Sequence, residues 1–164
     1  MTGWFIFGAG FSGREAGRQL AASGLPVSGT TRTQSKFADL ESAGITPLVF
    51  DGTMTSEIRS GLQHKTHLLM AIGPDEKGDP LLPELAGQLA EATPDLEWIG
   101  YLSTVGVYGD HKGGWVDEQT ASNPSNQRSV DRLAAEAEWT AFAAMKSCPL
   151  AILRLSGIYG PGRN

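Results

Sequence analysis

The stretch Trp4-Phe5-Ile6-Phe7-Gly8-Ala9-Gly10-Phe11-Ser12-Gly13 decides the fold of this 164-residue chain. A short apolar run of strand character passes directly into Gly-x-Gly-x-x-Gly, and a helical pattern follows from Ser12 to about Ser23. In that context each glycine has a physical task. Gly8 lets the backbone turn sharply out of the strand, Gly10 removes a side chain where a pyrophosphate must come close, and Gly13 lets the helix pack tightly on the sheet. The N–H groups of the first helical turn, at Phe11 and Ser12, and the positive end of that helix then face the anion. Gly13, Ala16, Gly17, Leu20 and Ala21 recur at helical spacing, so the inner face of the helix is made of small residues. The expectation is a dinucleotide-binding turn, and the alternative is an empty tight turn.

Outward from that start, strand and helix signals alternate. Val27 to Thr30 reads as a second strand, followed by a helix over about Gln34 to Ala43 that stops at Gly44. Thr46 to Phe50 is a third strand, with a short helix over about Thr55 to Gly61. Thr66 to Ile72 is a fourth, almost wholly apolar strand, as a parallel sheet covered on both faces requires. A helix from about Leu82 to Ala92 leads to a fifth strand, Glu97 to Ser103, and Leu150 to Leu155 is the sixth. Between Gln127 and Lys146 the residues Val130, Leu133, Ala134, Ala137, Ala141 and Met145 form one stripe, the expected buried face. The expected fold is α/β, a doubly wound parallel sheet of the Rossmann type with strand order 3-2-1-4-5-6, right-handed crossovers and helices on both faces. Ligands in such sheets bind outside the carboxyl ends of the strands, and the polar and Gly-rich clusters fall there.

Those clusters suggest which nucleotide is taken. An NAD site carries an acidic residue at the end of the second strand, to accept from the ribose 2′-hydroxyl. Here the place is held by Thr30-Thr31-Arg32. A 2′-phosphate suits the guanidinium of Arg32 and the hydroxyl of Thr31, so NADP is expected in preference to NAD. The alternative is a solvated Arg32 opening the next helix. Asp51, followed by Gly52, ends the third strand where adenine would lie; it is suited either to accept from the exocyclic amine or to serve as an ordinary turn residue.

The bulk numbers narrow the class. The length suits one domain, residues 1–164, and the 40% apolar and 19% charged content is that of a folded globular protein. The net charge of −5 without a basic run argues against nucleic acid or a membrane surface as partner. Cys148, the one cysteine, reads as a buried structural thiol, and no apolar run approaches a membrane span. A cytoplasmic protein is expected. His64, His67 and His111 lack the spacing of a metal site, and no metal is expected.

Leu102-Ser103-Thr104-Val105-Gly106-Val107-Tyr108-Gly109 and Arg154-Leu155-Ser156-Gly157-Ile158-Tyr159-Gly160-Pro161-Gly162 resemble two signatures of the extended short-chain dehydrogenase/reductases, the NAD-dependent epimerase/dehydratase group. The glycine-rich start, Asp51 and Val116-Asp117-Glu118 agree in order, so the resemblance runs over essentially the whole chain. It implies that Thr104 holds the position of the catalytic Ser/Thr that hydrogen-bonds the substrate oxygen. It also implies that Ile72, Gly73 and Ser103 lie beside the cofactor, and that Tyr108 and Tyr159 line the pocket or serve structure. A homodimer through helices flanking the sheet is common in the family.

Two departures matter. The family's Tyr-x-x-x-Lys falls, by register, on Arg128 and Arg132. A guanidinium stays protonated at any working pH and cannot act as the acid/base. Arg132 is suited to hold the ribose or a phosphate, and Arg128 an anionic substrate group; the alternative for each is a charge on an exposed helix face. Tyr101, Tyr108 and Tyr159 are the remaining phenols, Tyr108 being nearest Thr104 in sequence. Second, extended members continue past the Tyr-Gly-Pro-Gly turn into a substrate lobe, which is expected to be absent or truncated here. Two functions follow: an epimerase or oxidoreductase acting on a hydroxyl or carbonyl carbon of a small-molecule substrate, for example a nucleotide sugar, or a non-catalytic NADP(H) sensor or regulatory protein.

Overall fold

The computed structural model describes residues 2–163. Six parallel strands form one sheet: β1 Trp4–Phe7, β2 Val27–Thr31, β3 Ile45–Val49, β4 His67–Met70, β5 Trp98–Thr104 and β6 Leu150–Leu155. Their order is β3-β2-β1-β4-β5-β6, the doubly wound arrangement expected from the sequence. Five α-helices connect them: α1 Phe11–Ala22, α2 Phe37–Glu41, α3 Ser56–Leu62, α4 Leu82–Ala92 and α5 Gln127–Met145. The chain enters β4 from the far edge of the sheet, so β1 and β4 are neighbours whose connections leave in opposite directions. A crevice therefore opens above their carboxyl ends.

Strand alternation sorts the core into two layers. Phe5, Phe7, Leu68, Met70, Ile99 and Tyr101 point to the face covered by α3, α4 and α5. Ile6, Val27, Ile45 and Leu69 point to the other face, beneath α1 and α2. The small residues of α1 allow close approach there: a Cβ on Gly17 would stand 2.5 Å from the Ile45 side chain. At the start of α1, a Cβ on Gly13 would stand 2.5 Å from the Gly8 carbonyl oxygen. No described helix covers that face over β5 and β6, where Leu153 is 41% exposed.

Two helices differ from the sequence reading. The segment from Gln34 begins as a 3-10 turn, Gln34–Lys36, and only Phe37–Glu41 is α-helical. In α5 the buried face is not the apolar stripe. Ser129, Ala135, Glu136, Trp139, Phe142 and Ala143 are buried, whereas Val130 and Met145 are 43% and 60% exposed. Polar partners explain the inversion. The Trp139 indole N–H donates to Asp79 Oδ2 at 2.8 Å, and Glu136 is held by Ser103 and Arg154. A buried, fully paired carboxylate belongs to the inner face although hydropathy assigns it to the outer one.

Candidate dinucleotide cleft

The glycine turn has the geometry that the three expected tasks require. Gly8 has φ +85°, and a Cβ there would meet Ile72 Cγ1 at 2.6 Å. Gly10 has open space where its Cβ would be, so the backbone is bare toward the crevice. The turn is pinned from β2: the Thr30 hydroxyl, 1% exposed, accepts from Gly8 N–H at 2.9 Å, and the Thr30 carbonyl accepts from Ala9 N–H at 2.8 Å. Helix α1 has no side-chain cap and no acidic residue in its first turn. Three other helix starts are satisfied internally: α3 by Thr55, α5 by Asn126 and α4 by the Asp79 carboxylate. The N–H groups of Phe11, Ser12 and Gly13 are therefore the ones left to meet a ligand.

Two cavities flank this turn. The first, about 520 Å³, is lined by Gly8, Gly10 and Phe11 of the turn, by Thr31 and Arg32 after β2, and by Ile72 and Gly73 after β4. Arg14 and Lys36 also reach it, and Asp39 is its one carboxylate, 3.6 Å from Lys36. Nothing in the sequence reading marked Arg14 or Lys36. Asp51 and Gly52 lie outside this cavity. They border a neighbouring space of about 590 Å³ beyond Phe50, and Asp51 Oδ1 accepts from Thr53 N–H at 3.1 Å. Asp51 thus serves the turn through Oδ1, because a carboxylate two residues before a free N–H closes on it, and it borders a space that Arg32, Ile72 and Gly73 also line.

The second cavity, about 260 Å³, lies on the other side of the turn. Ser12 and Gly13 form one wall, Leu102, Ser103 and Thr104 the floor, and Arg128, Arg132, Arg163 and Ser156 the rest of its polar lining. Arg128 and Arg132 thus share one face of α5 with Thr104 opposite them. Arg132 is fixed: its Nη1 donates to the Leu102 carbonyl at 2.8 Å, and its guanidinium rests on the bare backbone of Gly73, where a Cβ would displace it. The Thr104 hydroxyl oxygen accepts from Gly106 N–H at 3.2 Å, which leaves its own proton free to donate. Among the described residues, three cations line each cavity, six of the chain's 13 lysines and arginines, against a single carboxylate. An acidic protein has gathered its positive charge at one crevice.

Tyr108 is corrected by the structure, and the Ser103 side chain has a partner behind the crevice. The Ser103 hydroxyl donates to Glu136 Oε1 at 2.5 Å, and the residue borders the second cavity. Glu136, 4% exposed, also receives Arg154 in a two-pronged pair, Nη2 to Oε2 at 2.7 Å and Nε to Oε1 at 3.1 Å. The Arg154 guanidinium lies 4.7 Å from the Tyr108 ring centroid, and Tyr108 is 5% exposed. The hydrogen bonds to Glu136 hold Arg154 above its ordinary pKa. Tyr108 is therefore a structural ring under an ion pair and not a cleft acid/base. None of the chain's tyrosines lines either cavity: Tyr159 is 85% exposed, and Tyr101 is fully buried with its hydroxyl unpaired. Burial pushes the Tyr101 phenol up to about 12. Sequence reading missed the Ser103–Glu136–Arg154 network because its members are distant in the chain.

Among the described residues no group of three or more His, Cys, Asp or Glu side chains could hold a metal, and no helix is long and apolar enough to cross a membrane.

This architecture is that of the Rossmann domain of epimerase/dehydratase and short-chain dehydrogenase/reductase proteins, and known structures agree. A conserved protein of unknown function from Silicibacter pomeroyi is 40% identical, with a TM-score of 0.87, over 99% of this chain and 55% of its own. A proposed NAD-dependent epimerase/dehydratase from Methylobacillus flagellatus is 29% identical, with a TM-score of 0.76, over 99% of this chain and 56% of its own. UDP-glucuronic acid 4-epimerase from Bacillus cereus, solved in complex with NAD, shares the fold at 23% identity and a TM-score of 0.77, over 97% of this chain and 58% of its own. The chain thus spans little more than half the length of these structures. No protein-family model and no curated protein matches the sequence.

Proposed function

We propose that residues 1–164 form the nucleotide half of an NADP-dependent protein of the epimerase/dehydratase type, acting as an epimerase or oxidoreductase on a hydroxyl or carbonyl carbon of a small molecule such as a nucleotide sugar. The observation that carries this reading is the open, uncapped turn Gly8–Gly13 with Arg14, Arg32 and Lys36 gathered beside it. The N–H groups of Phe11 to Gly13 would hold the pyrophosphate, and the three cations with Thr31 would hold a ribose 2′-phosphate. The bound nicotinamide would supply hydride chemistry. Thr104, with its free hydroxyl proton, would orient a substrate oxygen. The uncovered face of β5 and β6 supports a partner lobe for the substrate side, and the exposed face of α5 with Val130 and Met145 supports a homodimer.

A second reading, a dinucleotide sensor without turnover, is favoured by one observation: no phenol, imidazole or lysine lines the cavity beside Thr104. Calorimetric titration with NADPH and, separately, NADH tests both readings. NADPH is expected to bind at least about tenfold tighter, a margin lost in Arg32→Ala, which removes one charge-assisted contact. A folded protein that binds neither would overturn both readings. Turnover with candidate hydroxyl or carbonyl substrates then separates enzyme from sensor.

A further inference from the structure

The cavity beside Thr104 shares Gly8, Gly10 and Phe11 with the first cavity and extends from the glycine turn to α5 and the end of β6. Its lining contains three guanidiniums and no carboxylate. The start of α1 borders it through Ser12 and Gly13, the first turn of α5 reaches it through the Arg128 side chain, and neither first turn carries an acidic residue. Arg132 is already committed to Leu102 and Gly73 at the border between the cavities. Arg163 is steered by its place over the Phe11 ring, 5.4 Å from the centroid. Arg128 makes no salt bridge with any described residue, and it faces the Thr104 hydroxyl across a space of about 260 Å³. Such a space offers a planar fork, a hydroxyl donor and positive potential, and nothing that takes up a proton at neutral pH.

We propose that this cavity is an oxyanion site: Arg128, with Arg163 and Thr104, receives a carboxylate or phosphate group of a small anionic ligand while the dinucleotide occupies the glycine turn. This deepens the function proposed above and rests on it for the simultaneous presence of cofactor. The guanidinium at position 128 then acts as an anchor for charge, so the substrate class is anionic small molecules and not neutral sugars or alcohols. The fork of Arg128 suits two oxygens at once, which Lys at the same place would not reproduce.

The test is an amide NMR titration of the NADPH-saturated protein with inorganic phosphate and, separately, malonate, each against sodium chloride of equal ionic strength. Saturable shifts at Thr104, Gly106 and the start of α5 are expected, with the response to phosphate or to malonate identifying which oxyanion is preferred. Arg128→Gln is expected to weaken that oxyanion at least about tenfold, and Arg128→Lys by an intermediate factor, while NADPH affinity stays within about threefold. Position 128 is exposed in the first turn of α5, and the amide spectrum of each variant verifies folding. The proposal is overturned if neither anion gives a saturable response at these residues, or if Arg128→Gln leaves the response unchanged. It is also overturned if the anions simply displace NADPH and Arg128→Gln weakens NADPH tenfold, since the arginines would then serve the cofactor's own phosphates. Should NADPH not bind at all, the same titration of the free protein still decides the oxyanion site, and only the cofactor reading is lost.

Discussion

The two ends of the crevice were built by different means. At the β2 end, the cations Arg14, Arg32 and Lys36 are exposed side chains placed by a contiguous stretch of chain, from the glycine turn to the start of α2. At the α5 end, Thr104, Arg128 and Arg132 come from two elements joined through a buried scaffold, the Ser103–Glu136–Arg154 network. The first end depends on local geometry and solvent-facing charge. The second depends on a carboxylate taken out of water, whose removal leaves its partners unsatisfied.

That contrast is most sharply broken at Glu136. Glu136→Gln removes the charge facing Arg154 and is expected to destabilise the fold by roughly 3 kcal/mol in chemical denaturation. An unchanged midpoint would mean that the network is not a scaffold. Next in size is Gly13→Ala, which drives a methyl into the Gly8 carbonyl and is expected to cost about 2 kcal/mol, together with dinucleotide binding. Gly10→Ala sharpens the comparison within the same turn. Its new Cβ meets no protein atom, so stability should change by less than about 1 kcal/mol while NADPH affinity falls at least about tenfold. If Gly10→Ala binds NADPH normally, the pyrophosphate does not lie on this turn.

The smallest expected effect is at Tyr101. Its buried hydroxyl has no partner, so Tyr101→Phe should be neutral to slightly stabilising at pH 7. The sign of its pH dependence is definite. The folded-state pKa is raised from 10.0 to about 12, so the unfolded chain ionises first. The stability that the neutral phenol contributes is fully present below pH 10 and declines as pH rises toward about 12. Denaturation midpoints across that range should fall less steeply in Tyr101→Phe, and tyrosinate absorbance should record a phenol titrating later than that of exposed Tyr159.

Much of this was legible in the sequence because it depends on short-range rules. The strand–turn–helix at Trp4 to Gly13, the limits of α4 and β6 and the sheet order follow from periodicity, glycine placement and the crossover rule. Arg32, Thr104, Arg128 and Arg132 were marked by position, and the structure does bring them to the crevice. The burial of Tyr108 and the inward face of α5 were not legible. Each depends on partners far away in the chain.

By itself the sequence determined the doubly wound sheet, the bare glycine turn and the placing of two guanidiniums, Arg128 and Arg132, one helical turn apart, because these are properties of residue type and local spacing. Only the tertiary structure decided that Arg14 and Lys36 join Arg32, that no tyrosine reaches the cavity beside Thr104, and that Glu136 is an interior residue. The physical reason is the same in each case. Whether a charge or hydroxyl faces water, ligand or partner depends on which distant groups share its volume, and close packing settles that three-dimensionally.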